Sequence, residues 1–269
     1  MADKAAAQVI AQYSTSFSLA VRTLPNPERT HIRNLYAVVR IADEIVDGTT
    51  TQANECPETA LDLYEEQVLH APAHRFHTDP VLHAWARTYR ECHLNPEHMQ
   101  AFFASMRADL TQTEFTPQLL DTYIHGSAEV IGLMCLDIFL CGRDTPHRRE
   151  LEEGARALGS AFQKVNFLRD LGEDSRALGR AYFNAPLDDD LKSTLTSQIA
   201  DELDRAHTAI PLLPPAARGG VAAAEALFRE LNARIAATPA AELHTTRVRV
   251  PNHLKVALTA KALANSRKP

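Results

Sequence analysis

The chain has 269 residues, 45% of them apolar and only 10 of them glycine, which suits one compact domain with a sizeable core. Its formal charge of −6, from 34 acidic against 28 basic residues, argues against nucleic acid as the main partner. The N-terminal run MADKAAAQVIAQYSTSF does not read as a secretory signal, and no unbroken apolar stretch reaches the ~18 residues of a membrane span. The longest candidate, 130–141, is broken by Gly132 and Asp137. We therefore expect a soluble, cytoplasmic protein with at most peripheral membrane contact, with Leu133 and Met134 as candidates for an entrance that admits a greasy substrate.

In chain order the pattern is helical nearly throughout. Residues 5–20 predict a first helix, and Pro25 and Pro27 break it. A second covers 28–46 and stops at Gly48; a third runs 57–70. The segment 71–79, holding Pro72, reads as a loop. Helices follow at 80–91, 95–110 and 117–141, with Pro96 and Pro117 where an N1 proline is tolerated. Further helices are predicted at 146–174, 188–209, 216–237 and 251–265. Only 247–250 looks extended. The fold class is all-α, without an internal repeat or a linker.

Two acidic patterns stand out. In the second helix, Asp43 and Asp47 are spaced i, i+4 and share a face near the helix C-terminus. Like charges repel there, and the helix dipole disfavours anions, so a compensating cation is expected. Hard Mg²⁺ prefers carboxylate oxygen and leaves coordination positions for water and phosphate. Glu44 points off that face. Arg40, one turn earlier, suits either the acids or a phosphate.

The second pattern is Gln163-Lys-Val-Asn166-Phe-Leu-Arg169-Asp170-Leu-Gly-Glu173-Asp174. Asn166, Asp170 and Asp174 follow at i, i+4, i+8, with Gln163 continuing the stripe. Val165, Phe167, Leu168 and Leu171 occupy other faces, so a polar stripe lies on a largely buried helix and needs partners. Two such stripes facing each other would hold two or three Mg²⁺ ions and a diphosphate.

Around these patterns the chain resembles the squalene/phytoene synthase family. Tyr13-Ser-Thr-Ser16-Phe17 resembles its diphosphate-contacting Ser-Phe segment, and Tyr36, Arg40, Asp43 and Asp47 match its first aspartate motif. Tyr123-Ile-His-Gly126-Ser-Ala-Glu-Val-Ile-Gly132 resembles the kinked helix that bears a catalytic tyrosine. Gln163, Asn166, Arg169, Asp170 and Asp174 match the second motif, and Gly179-Arg180-Ala-Tyr182 the segment after it. The run from Arg247 to Lys255 is family-like too. Ala128-Glu129 and Glu44 depart from the common pattern.

The resemblance implies a single-domain isoprenoid-synthase-type helical bundle around a central cavity. It also implies Mg²⁺-dependent, head-to-head joining of two prenyl diphosphates through an allylic cation. Tyr36, Tyr123, Asp43 and Asp170 become catalytic candidates. Ser16, Phe17, Arg40, Gln163, Arg169, Arg180, Tyr182, Arg247 and Lys255 become candidates for binding substrate, and Asp43, Asp47, Asn166, Asp170 and Asp174 for the metal. Carbocations need a dry cavity and aromatic faces, which Phe17, Tyr36, Phe139, Phe162 and Phe167 could supply. The phytoene-like phrases GSAEVIGLMCL and FQKVNFLRDL favour hydride-free condensation, so NADPH is not expected.

One alternative keeps the metal motifs and transfers a single prenyl group to a small aromatic acceptor, compatible with the short chain and with Glu129. Another is a helical binding or assembly protein with solvated acids. His70, His74 and His77 have a spacing that suits zinc, but Pro72 favours a surface loop. Cys56, Cys92, Cys135 and Cys141 form no CxxC pair and read as reduced thiols packed as small hydrophobes.

Overall fold

The computed structural model describes residues 1–13, 15–177 and 187–266, and among these there is helix and no strand. The expected first helix is two, α1 (Ala2–Tyr13) and α2 (Thr15–Arg22), lying against α3 (Glu28–Val46). The reason lies in their contacts with α3. Asp3 accepts a hydrogen bond from Asn34, Tyr13 carries the Arg40 guanidinium 4.6 Å from its ring centre, and Phe17 stacks on Tyr36. From Asp3 to Tyr13 the chain climbs α3; by Phe17 it has turned back, which one straight helix does not allow.

Then come α4 (Thr49–Gln52), α5 (Pro57–His70), α6 (Pro80–Cys92), α7 (Pro96–Thr111) and α8 (Pro117–Ile124). The starts are written locally. Asp79 accepts from the amides of Val81 and Leu82 at 2.7 and 2.9 Å, Asn95 from Glu97 at 3.0 Å, and Thr116 from Leu119 at 3.2 Å. Each cap precedes an N1 proline, the pairing that satisfies or removes the orphan donors of a first turn.

The predicted helix over 117–141 changes winding instead of running straight. After α8, residues His125–Glu129 form a π-helical turn, and α9 (Val130–Leu140) resumes α-geometry. A Cβ on Gly126 would lie 2.1 Å from Ser105 Oγ and 2.4 Å from the Ala101 carbonyl, so α7 passes where only glycine fits. Gly132 serves close packing on the next helix, not the bend expected there: its Cβ would meet the Ala155 carbonyl at 2.4 Å. The stretch Pro117–Leu140 is long and apolar enough to cross a membrane by composition, but most of it is buried in the bundle. Leu133 and Met134 are core residues, not a membrane-facing entrance.

The long α10 (Arg148–Ala177) packs between this π-bulged helix and α11 (Asp189–Ala209); α12 (Pro215–Ala237), α13 (Ala240–Leu243) and α14 (Asn252–Ser266) complete the bundle. One apolar core gathers around Trp85, Phe102 and Phe103, and another around Leu168, Ile199 and Ile235. Residues 247–250 remain irregular, with Val248 and Val250 buried. Among the described residues no three His, Cys, Asp or Glu side chains converge as a metal site, so His70, His74 and His77 do not make one. Two of the four cysteines, Cys56 and Cys141, are exposed instead of packed as expected.

Candidate active site

A cavity of about 730 Å³ opens along α3 and α10, with walls from α2, α9, α11 and α12. Its polarity follows sequence order on both main helices. On α3, Ile32, Tyr36 and Val39 come first, then Arg40, Asp43 and Asp47. On α10, Leu151, Ala155, Leu158 and Phe162 precede Gln163, Asn166, Arg169 and Asp170. The apolar part of α10, Leu151 to Phe162, spans roughly 16 Å of helix. Both helices thus carry greasy walls into a polar rim.

Eleven sequence candidates line this one space: Phe17, Tyr36, Arg40, Asp43, Asp47, Tyr123, Gln163, Asn166, Arg169, Asp170 and Arg247. The aromatic candidates Phe139, Phe162 and Phe167 line it as well, with Phe162 stacked on Phe228. Lys255 is not in the lining, but it lies close enough to Arg169 and Arg249 to feel their charge; burial first, then those two cations, hold its pKa below the usual lysine value. Ser16, Asp174, Arg180 and Tyr182 fall outside what the structure describes, Ser16 and Asp174 for their side chains.

The rim is electrostatically tense. Asp43 is enclosed by protein while a third of its side chain faces the cavity. Burial pushes its carboxyl up to about 8; Arg40 pulls it back, and Asp47, Asp109 and Glu44 add to the rise. Arg40 lies 3.6 Å from Asp43 and also pairs with Glu44, which accepts from Thr49 Oγ1 at 2.7 Å. Burial works against the charged guanidinium of Arg40, but its acidic neighbours outweigh this and raise its pKa. Across the cavity Asp170 is held by two arginines: Arg169 pairs with it, and Arg247 Nε lies 2.9 Å from Oδ1.

Sequence reasoning missed Asp109. It sits on α7, lines the cavity, contributes to the charge felt by Asp43, and accepts the Tyr123 hydroxyl at 3.0 Å. No second acid stands at helical spacing from it in the sequence, so nothing there distinguished it from any other acid. Tyr123 is buried between Phe115 and Phe167, ring centres 5.1 and 6.1 Å away, which fixes its hydroxyl on Asp109. Glu129, the residue that departed from the common pattern, is absent from the lining; it pairs with His125 at 2.9 Å and with Arg156 at 3.7 Å, while Ala128 faces the cavity.

The donor set fits hard cations held jointly with a ligand. Carboxylates and an amide oxygen stand on both sides of the cavity, yet no three acids among the described residues close on one point. Mg²⁺ typically completes such an open set with water and substrate phosphate.

An all-helical bundle whose acid- and arginine-lined rim leads into a deep apolar cavity is an isoprenoid-synthase-type fold. The comparisons make this specific: the family model for squalene/phytoene synthase matches residues 10–253, and the chain belongs to that family. It is 34% identical over 191 residues to a phytoene synthase of Arthrospira platensis, covering 68% of this chain and 60% of that enzyme. It is 31% identical over 204 residues to a 4,4'-diapophytoene synthase of Staphylococcus haemolyticus, covering 74% and 66%. In both cases the match spans less than two thirds of the relative. A dehydrosqualene synthase crystal structure superposes with a TM-score of 0.80 at 22% identity, covering 98% of this chain and 96% of that one. A squalene synthase from Alicyclobacillus acidocaldarius gives 0.73 at 23%, covering 87% and 92%.

Proposed function

We propose that this chain is a Mg²⁺-dependent prenyltransferase that condenses two allylic prenyl diphosphates head to head, releasing diphosphate. The observation that carries this is the graded cavity: one apolar space large enough for long tails, ending in a rim of opposed carboxylates and arginines. Family membership and relatives named as phytoene and diapophytoene synthases support condensation between two prenyl diphosphates over transfer to an aromatic acceptor. The outward pairing of Glu129 removes the one substitution that suited the acceptor reading.

In this reading Asp43, Asp47, Asn166 and Asp170, with Asp174, hold Mg²⁺, which supplies Lewis-acid neutralisation of diphosphate charge. Arg40, Arg169 and Arg247 turn from their carboxylate partners to phosphate oxygens, where planar guanidinium groups match the acceptor geometry. Departure of diphosphate leaves an allylic cation. Tyr36, Phe17 and Phe167 line the space it would occupy, and the apolar walls keep water away. The second substrate's double bond attacks the cation and a proton is lost as the cyclopropyl ring closes; the second diphosphate then leaves, the skeleton rearranges, and the resulting cation loses another proton to give the hydrocarbon. The Tyr123 hydroxyl, aimed by Asp109, is the group placed to take or steer a proton.

The test is incubation with farnesyl or geranylgeranyl diphosphate and Mg²⁺, with and without NADPH, followed by product analysis. A hydrocarbon formed from one diphosphate alone, without NADPH, is expected. Failure of both substrates to turn over would sink the head-to-head assignment.

A further inference from the structure

Away from the cavity, α6 and α9 end against each other. Their last turns are capped in the same way. His93 follows Cys92 with φ 54° and returns its amide to the Tyr89 carbonyl; Cys141 follows Leu140 with φ 46° and returns its amide to the Asp137 carbonyl at 2.7 Å. The caps abut closely: a Cβ on Gly142 would stand 3.0 Å from the His93 ring. The Cys141 Sγ lies 3.5 Å from the carbonyl oxygen of Glu91, the residue before Cys92, and the Cys92 thiol has Cys141 as an electrostatic neighbour. Neither thiol lines the cavity, and Cys92 borders a small cleft of its own with His93, Gly142 and Arg148. Cys92 is buried and Cys141 exposed.

We propose that Cys92 and Cys141 are an oxidisable pair, a site of reversible disulfide formation that ties the C-terminal end of α9 to that of α6. This does not depend on the proposed reaction. The asymmetry in exposure orders the chemistry. The Cys141 thiolate attacks one sulfur of a low-molecular-weight disulfide, expelling one thiol and leaving a mixed disulfide on Cys141. Cys92 then gives up its proton and attacks the Cys141 sulfur, expelling the second thiol. Two cysteine thiols are oxidised by two electrons and one external disulfide is reduced to two thiols, so atoms and electrons balance. Burial, together with the neighbouring Cys141, holds the Cys92 thiol well above the ordinary range, so closure is slow near pH 7 and faster at higher pH.

The consequence reaches the cavity through α9. Phe139 and Leu136 line it within the last turns before Cys141. A crosslink there restrains the end of that wall and removes freedom from the unfolded chain.

The experiment treats the folded full-length chain with oxidised glutathione at pH 7 and pH 9, quenches free thiols with an alkylating agent and maps peptides by mass spectrometry. A peptide pair joined through Cys92 and Cys141, lighter by two hydrogens, is expected. It should form faster at pH 9 and disappear with dithiothreitol, and the oxidised protein should melt higher. Cys56, the other exposed thiol, should carry only a mixed disulfide. In Cys141→Ser, which alters an exposed position, the crosslink and the melting shift should both vanish. Cys141 capped by glutathione with Cys92 still alkylatable at pH 9 would overturn the proposal, as would a crosslink that forms only after denaturation.

Discussion

Asp43→Asn is a substitution with two effects of opposite kind. A carboxyl whose pKa rises from 3.8 to about 8 on folding binds a proton that the unfolded chain has already lost. Stability from this group therefore falls as pH rises from about 4 to about 8, and the full penalty is present above that. At about 1.36 kcal/mol per unit, the shift corresponds to an upper limit of roughly 6 kcal/mol. A third of the side chain meets solvent in the cavity, and screening there reduces the figure to about 1–2 kcal/mol. An isosteric neutral amide escapes it, and Arg40 keeps Glu44 as its partner. The metal-free variant should thus melt roughly 2–8 °C above wild type at pH 8.5 and match it near pH 4. The second effect is a loss. Mg²⁺ with inorganic diphosphate, at a hundredfold over its Kd, should stabilise wild type by about 2.7 kcal/mol and the variant hardly at all. Differential scanning fluorimetry across pH, with and without Mg²⁺ and diphosphate, measures both. A variant that melts lower than wild type at pH 8.5 without metal, or that keeps the ligand shift, refutes the account of Asp43 as a strained carboxylate awaiting a cation.

Three further outcomes follow from other contacts. Tyr123→Phe removes the hydroxyl from Asp109, costing about 1 kcal/mol of stability but lowering kcat by roughly 10²–10⁴-fold if that hydroxyl handles the proton; unchanged kcat in steady-state assays would leave Tyr123 a packing residue. Arg247→Gln frees one side of Asp170, and because the pair is partly exposed its melting temperature should stay near wild type, while KM for the prenyl diphosphate rises about tenfold or more; an unchanged KM would detach Arg247 from phosphate binding. Gly126→Ala drives a methyl into Ser105 Oγ and the Ala101 carbonyl, so a loss of about 2–4 kcal/mol is expected by chemical denaturation; a neutral result would mean that the π-helical turn adjusts at no cost.

What the sequence made legible is what has a period or a punctuation mark. Helix starts expected at 80, 95 and 117 were readable from prolines tolerated at N1, and the structure adds side-chain caps from Asp79, Asn95 and Thr116. The stripe from Gln163 to Asp170 was readable because helical spacing alone puts its members on one face, and the structure turns that face to the cavity. The reversal between Tyr13 and Phe17 was not read, although Ser14-Thr15-Ser16 interrupts the alanine-rich start; it shows only in the docking of both segments on α3. Asp109 was hidden for a related reason: its role comes from the approach of α7 to α3 and α8, a tertiary fact. The apolar run near 130 misled in the other direction. Its hydrophobicity is that of a helix buried on most sides in protein, which composition does not separate from one facing lipid.

The ion pairs at the rim explain how such a concentration of charge persists before any ligand arrives. Two of the acids proposed to hold a cation stand next to arginines proposed to hold phosphate: Arg40 beside Asp43, Arg169 and Arg247 beside Asp170. In the proposed reaction, Mg²⁺ and diphosphate would exchange these partners, carboxylate to cation and guanidinium to phosphate. The two sides are not equally served. Asp170 has two guanidinium groups, one of them at 2.9 Å, whereas Asp43 shares a single arginine with Glu44 at 3.6 Å and faces Asp47 and Asp109 as well. The unmet demand for positive charge is therefore concentrated on the α3 side. A cation arriving there relieves burial and repulsion together, so the α3 motif should dominate the energetics of loading, and the α10 motif, already neutralised, should act mainly when phosphate draws its arginines away.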